Sequence, residues 1–219
     1  MYYTLMASLP ALPRIDEAKS LPINEIRLRQ RLTMLTKEDA VLVWETSRFL
    51  RWQRKPIQQS DEEIVMLANR ILKKLASHRT IAELVVLRMD VRTIVAALRR
   101  RHQKKPRPVK GEIWGVSEWT RAIEQNWDDP DFKLGYVFPW IPKARIHLEK
   151  GETVKLEKHL MSIVWNRAER LAFGNPFGFD ALIAYLFKWD ILQRWLSYDA
   201  SAAKDRFKSL VLEVIRERN

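Results

Sequence analysis

The sequence predicts an all-α protein, a multi-helix bundle with a short extended N-terminal arm, on three observations. The stretch Phe177 to Leu196 is apolar on nearly every side, through Leu182, Ile183, Leu186, Phe187, Ile191 and Leu192 among others. A helix of that kind has to be buried. Asp180, Lys188, Asp190, Gln193 and Arg194 interrupt it, which speaks against a bilayer span of about 20 mostly apolar residues. Capping-box patterns stand at Thr36–Asp39, Ser60–Glu63 and Thr80–Glu83, each before an apolar run of helical period. Finally, six Gly in 219 residues leave little material for the tight turns of a many-stranded β fold.

The elements follow in chain order. Residues 1–23 read as an extended leader whose Tyr2, Tyr3, Leu5, Met6 and Leu9 pack across the helices, because Pro10, Pro13 and Pro22 forbid one long helix. Asn24 is placed to cap a short helix through Leu35. Thr36 opens a helix to about Arg54, with Val41, Trp44, Phe49 and Trp52 on its apolar side and Pro56 beyond its end. Ser60 opens another to about Ser77, where Ile64, Leu67, Ala68, Ile71, Leu72 and Leu75 follow the i, i+3, i+4, i+7 rule. Thr80 opens a third to about Lys104, with Leu84, Leu87, Val91, Val95 and Leu98 on one face.

Residues 105–115 (KPRPVKGEIWG) hold two prolines and two glycines and read as a linker between an N-terminal helical lobe, 1–104, and a C-terminal one, 116–219. The two lobes are also compatible with a single packed domain. A short helix is expected over Ser117–Trp127, a loop over Asp128–Phe138, and a short helix after Pro139 and Pro142 that ends near Gly151. A long helix follows over Thr153–Phe173, with Gly174 at its C′ position. The buried helix comes next, and then a separate one over Ala200–Arg218 with a stripe of Phe207, Leu210, Val211, Val214 and Ile215.

Composition narrows the function. Nine Trp, eight Phe and 47% hydrophobic residues exclude a disordered chain. No cysteine is present, which removes disulfides, thiolate metal sites and thiol catalysis. The N-terminal apolar run has no preceding cation and is broken by Ser8 and Pro10, so no secretory signal is expected. The net charge of +12 points to an acidic partner, whether nucleic acid, an anionic membrane face or an acidic protein surface.

The densest basic tract is Arg99, Arg100, Arg101, Lys104, Lys105 and Arg107, with Lys110 just beyond; these seven supply more than half of the net charge. Cations at a helix C-terminus suit the helix dipole, so a solvated helix end is one reading. Docking of an acidic protein or anionic lipid is the second, and nucleic-acid binding through phosphates the third. The last is less expected, since the tract lacks interleaved aromatics and no RRM, KH or zinc-finger spacing occurs.

The other candidates are weaker. His78, His102, His147 and His159 do not converge with acidic residues at metal-ligand spacing. Asp128, Asp129 and Asp131 lack the EF-hand pattern, and turn chemistry around Pro130 accounts for them. Asp190 and Arg194 stand i, i+4 and can pair within the buried helix. Phe138–Pro142 (FPWIP) reads as an interior plug more than an exposed patch. There is no phosphate-binding Gly loop and no nucleophile elbow. Neither an enzymatic reaction nor a cofactor is expected.

Three stretches together carry a family resemblance: Tyr2–Pro10 (YYTLMASLP), Arg92–Arg101 (RTIVAALRRR), and Phe179–Leu186 (FDALIAYL) leading to Asp190 and Ile191. The chain resembles a short bacterial family encoded with V-type ATPase genes. More distantly it is similar to the C-type subunit (d-type in eukaryotes) of the V/A-type rotary ATPases. The nearer resemblance covers most of the chain; the distant one rests on the Arg/Leu-rich helix and the buried helix. It implies an all-helical protein without an active site, acting as a socket between the central stalk and the rotating membrane ring. Its implied partners are stalk and ring subunits with anionic lipid headgroups nearby, and its implied place is cytoplasmic, peripheral at the inner membrane face.

Overall fold

The computed structural model describes residues 2–50, 61–109 and 111–217; for 48, 50, 61 and 199–217 the backbone alone is described. Among them there are nine α-helices and no strand. They are α1 (Tyr3–Ser8), α2 (Glu25–Leu32), α3 (Lys37–Leu50), α4 (Asp61–Lys74), α5 (Arg79–His102), α6 (Thr120–Gln125), α7 (Ile141–Glu149), α8 (Thr153–Ala172) and α9 (Phe179–Glu217). A 3₁₀ turn, Leu75–Ser77, joins α4 to α5.

The bundle is organised around α5. It packs against α3, α4, α6, α7, α8 and α9. Ile81, Leu84, Val85, Ile94 and Leu98 bury different sides of it, so it is as enclosed as the first half of α9, where Leu182, Phe187, Ile191 and Leu192 are buried. α8 and α9 form an antiparallel hairpin across it: Glu157 of α8 meets Arg194 of α9, and Lys188 of α9 lies over the Trp165 ring of α8. One continuous apolar core takes in residues on both sides of 105–115, from Leu5 through Ile94 to Ile123, Ile141 and Leu192.

The N-terminal arm is held across α9 by two side chains. The Tyr185 hydroxyl donates to the Pro10 carbonyl at 2.9 Å, and Trp189 Nε1 donates to the Ile23 carbonyl at 2.8 Å. Ile23 and Leu28 pack on the same two rings. The arm is not extended throughout: residues 3–8 coil into α1, with Leu5 buried, before Pro10 stops the helix.

Capping explains most boundaries. Asn24 Oδ1 accepts from the Arg27 amide at 2.9 Å and starts α2. Thr36 Oγ1 accepts from the Asp39 amide at 3.1 Å and starts α3. The Thr80 box does not form. α5 begins a residue earlier, at Arg79, and Glu83 turns its carboxylate to Arg167 of α8 at 2.6 Å. Val41 and Trp44 point outward on α3, whose buried side is Thr46 and Phe49. Trp52, Arg54, Pro56 and Ser60 lie outside the described residues.

Two further expectations are corrected. Gly174 does not adopt the left-handed conformation after α8; among the described glycines only Gly111 and Gly151 have positive φ. The separate last helix is instead a continuation of α9, which runs 39 residues to Glu217. Residues 197–200 contain neither Gly nor Pro, so nothing local breaks it. The stripe expected from Phe207 onward lies outside the described side chains.

Several polar groups within the bundle have charged or hydrogen-bonding neighbours. Arg88 is half-buried on α5, facing α8 and α9; desolvation first, and Arg92 second, lower its pKa to about 10, while Asp190 and Glu157 oppose the shift. Glu157 also receives Arg194 Nε at 3.2 Å and the Tyr198 hydroxyl. On α5, buried Asp90 accepts from Ser117 Oγ at 2.5 Å and ties the start of the C-terminal half to the helix midpoint.

Burial raises the Asp90 carboxyl from 3.8 to about 6. Folded Asp90 therefore takes up a proton more readily than unfolded Asp90. Its contribution to stability is complete below about pH 4 and is lost as pH rises through about 6. Chemical denaturation from pH 4 to 7 should show that loss in the native chain, and Asp90→Asn should flatten the profile over the same window.

Candidate functional site

The basic tract forms the C-terminal end of α5 and the loop after it. The helix closes with the Gln103 amide on the Arg99 carbonyl at 2.9 Å and the Lys105 amide on the Arg100 carbonyl at 3.0 Å. Lys104 sits between them at φ 56, a left-handed position usually given to Gly. The chain thus turns sharply away from the helix axis.

Two of the seven cations are engaged inside the protein. Arg100 Nε donates to the Pro106 carbonyl at 2.8 Å, and Nη1 pairs with Glu112 at 2.6 Å. Glu112 also receives the Val109 amide at 2.9 Å, which closes the loop over residues 106–112. The Arg100 hydrogen bond, then the Val109 amide, hold the Glu112 carboxyl below its usual range.

Arg101, one residue on, faces a different loop. Its Nη1 donates to the carbonyls of Trp127 at 3.1 Å and Asp129 at 2.5 Å, and Nη2 donates to that of Pro130 at 2.5 Å. Its guanidinium lies 4.5 Å from the centre of the fully buried Phe132 ring. Burial, and secondarily Arg145, lower its pKa. The same loop is stabilised by Asp129 Oδ1, which accepts from the amides of Asp131 at 2.9 Å and Lys133 at 2.8 Å. The acidic cluster is turn chemistry, as its sequence predicts.

The side chains of Arg99, Lys104, Lys105 and Arg107 are exposed and form no ion pair with any described residue. Lys110 lies outside the described residues. Beside these cations, Val109 and Ile113 are 70% and 50% exposed, and Tyr136, in the loop that Arg101 anchors, is 97% exposed. No sequence signal distinguishes the two anchoring arginines from their neighbours. Their partners lie 12 and nearly 30 residues away, so only the packed fold pairs them.

Elsewhere, Phe138, Trp140 and Ile141 are buried, with Phe138 edge-on to Trp119 at 5.6 Å, so FPWIP is an interior plug. Among the described residues no three His, Cys, Asp or Glu side chains are grouped to hold a metal ion. His147 shares a 2.7 Å hydrogen bond with Glu152, and His159 approaches the Trp140 carbonyl at 3.3 Å. A groove of about 530 Å³ lies between α2, α3 and α9, lined by Leu28, Leu32, Val43, Trp44, Leu186 and Asp190 among others.

The opposite end of α5 differs in chemistry. There Tyr3 stacks on Phe177 at 4.6 Å, and Phe173 is 90% exposed in the turn between α8 and α9. Arg79 and Arg167 pair there with Glu83, and His78 lies 3.9 Å from Asp180, while Arg170 in the last turn of α8 is exposed and forms no ion pair with a described residue. The 24 residues of α5 separate the two ends by about 36 Å.

Fold and site together define an all-α protein with an unpaired cationic end and no helix, among the described residues, long and apolar enough to cross a membrane. The family model described as "Protein of unknown function (DUF2764)" matches residues 77–218, and the chain belongs to that family. The match takes in α5 to α9 and the whole basic tract, and leaves out α1 to α4. No curated protein and no solved structure matches the chain.

The two arginine anchors should separate from their neighbours on substitution. Arg101→Ala strands three carbonyls and should cost about 2 kcal/mol, with faster amide exchange over residues 127–134. Arg99→Ala, on the same turn, should change stability by less than about 0.5 kcal/mol. Equal losses for the two variants in denaturant titration would show that Arg101 does not anchor the loop.

Proposed function

We propose that this protein is a non-catalytic subunit or accessory protein of a V/A-type rotary ATPase, a socket between the central stalk and the membrane ring at the cytoplasmic face of the inner membrane. The observation that carries the reading is the resemblance of YYTLMASLP, RTIVAALRRR and FDALIAYL to the family encoded with V-type ATPase genes and to the C-type socket of the rotary ATPases. Two features of the molecule support it. Exposed Arg99, Lys104, Lys105 and Arg107 offer an unpaired cationic end to acidic protein or membrane-ring surfaces. The aromatic end, about 36 Å away along α5, offers a second contact of different chemistry, as a part that sits between two others requires. The role assigns the chain no reaction of its own.

A tagged full-length chain, recovered from detergent-solubilised membranes of its host at moderate salt, should bring down ring and central-stalk subunits identifiable by mass spectrometry. Apolar contacts in a socket should let that complex survive salt that strips charge-only binding. Reversing Arg99, Lys105 and Arg107 should abolish recovery while sparing the internal anchors Arg100 and Arg101. Recovery of nucleic acid with no ATPase component would remove the assignment.

A further inference from the structure

The geometry points to an anionic bilayer surface as what the loop after α5 contacts directly: we propose that Lys104, Lys105 and Arg107 bind lipid phosphates while Val109 and Ile113 enter the headgroup layer. This builds on the docking role given above to the basic end and names the partner class of that site.

Three observations favour a bilayer over an acidic protein. Two of the four arginines in the tract are already used. Arg100 grips Glu112 and Pro106, and Arg101 grips the carbonyls of 127–130, so their bidentate forks are turned inward and the outward-facing set is half lysine, Lys104 and Lys105 beside Arg99 and Arg107. The exposed cations are long chains on a turn, suited to tracking a fluid array of phosphates while their stems lie along apolar surface.

The second observation is the mixture of side chains. Val109 and Ile113 stand in the same short loop as the cations and are 70% and 50% exposed. A single exposed aliphatic residue needs no explanation. Two of them following three exposed cations in one loop supply the paired apolar and electrostatic signals that reversible membrane attachment requires.

The third is support. The loop is held by Glu112 on Arg100 and the Val109 amide and by a turn at Gly111, whose φ is +89°. The apolar grooves described above and beside α4 are lined by α2, α3, α4 and α9 and lie away from it. A protein partner gains most from packing into such grooves, whereas a bilayer accommodates an exposed loop without a matching cavity.

The test is flotation of the full-length protein with vesicles of phosphatidylcholine alone and of phosphatidylcholine with phosphatidylglycerol as the minor lipid. Binding is expected to the mixed vesicles only, and to fall with added salt. The double variant Lys104→Glu, Arg107→Glu should weaken it by about tenfold or more. Val109→Ser with Ile113→Ser should weaken it by about threefold or more without altering its salt dependence. Circular dichroism should be unchanged for both, since all four side chains are exposed.

Absence of binding to mixed vesicles at low salt would overturn the proposal. So would full binding by the serine variant, which would leave only charge adhesion. Recovery of ATPase subunits by a chain that ignores vesicles would sink the bilayer contact and leave the socket reading standing. Vesicle binding without those subunits would support the bilayer contact and remove the socket reading.

Discussion

The enclosure of α5 is the constraint on which the rest of the molecule depends. A 24-residue helix apolar on several sides needs neighbours all round it, and six other helices supply them. Its two buried polar residues then set where the following chain can run. Asp90 holds Ser117, and Thr93 Oγ1 accepts from the Val116 amide at 3.0 Å. Gly115 passes so close that a Cβ there would meet Thr93 Cγ2 at 2.6 Å. Any larger residue would force the chain off the helix, so the segment from 114 to 117 is fixed by contact rather than by its own turn preference. Arg100 and Arg101 repeat the device at the helix end, each with a different loop.

Charge is sorted by the same packing. Cations that fall on enclosed positions have found oxygen or acidic neighbours: Arg101 its carbonyls, Arg194 Glu157, and Arg88 the field of Asp190 and Glu157. A buried guanidinium without such neighbours would be strongly destabilising. The excess of +12 is thereby pushed to the surface, and one concentration of it lies where α5 ends. Cationic character at that end is a consequence of a helix dipole, a left-handed turn at Lys104 and a loop whose one described carboxylate, Glu112, is taken by Arg100.

Much of the helical plan was legible because it is local. The caps at Asn24 and Thr36, the periodic face of α4 and the all-round apolarity of α9 are written within one or two turns of sequence. Failures came where distant residues decide. Glu83 has the right spacing for a capping box but gives its carboxylate to Arg167, 84 residues away. Trp44 looks like core, yet α3 is rotated so that Thr46 and Phe49 face in. Residues 3–8 fold as a helix because aromatic contacts hold Tyr2 against Phe179 and Tyr3 against Phe177, partners from the far end of the chain. At the candidate site, the sequence marks a block of basic residues but cannot divide it. Arg100 and Arg101 differ from Arg99 only in what the tertiary fold sets beside them.

That division bears on how the molecule would stand at a membrane. With the loop after α5 against lipid headgroups, the aromatic end lies about 36 Å along the helix from that contact. Screening at physiological salt extends only about 8 Å, so charge at one end does not reach the other. Arg79 and Arg167 pair there with Glu83, and exposed Phe173, Phe177 and Tyr3 set that end apart from the cationic one. Such an end is suited to apolar contact with protein. One rigid helix would then hold two contacts of unlike chemistry at a fixed separation, and substitutions at one end should leave binding at the other unaltered.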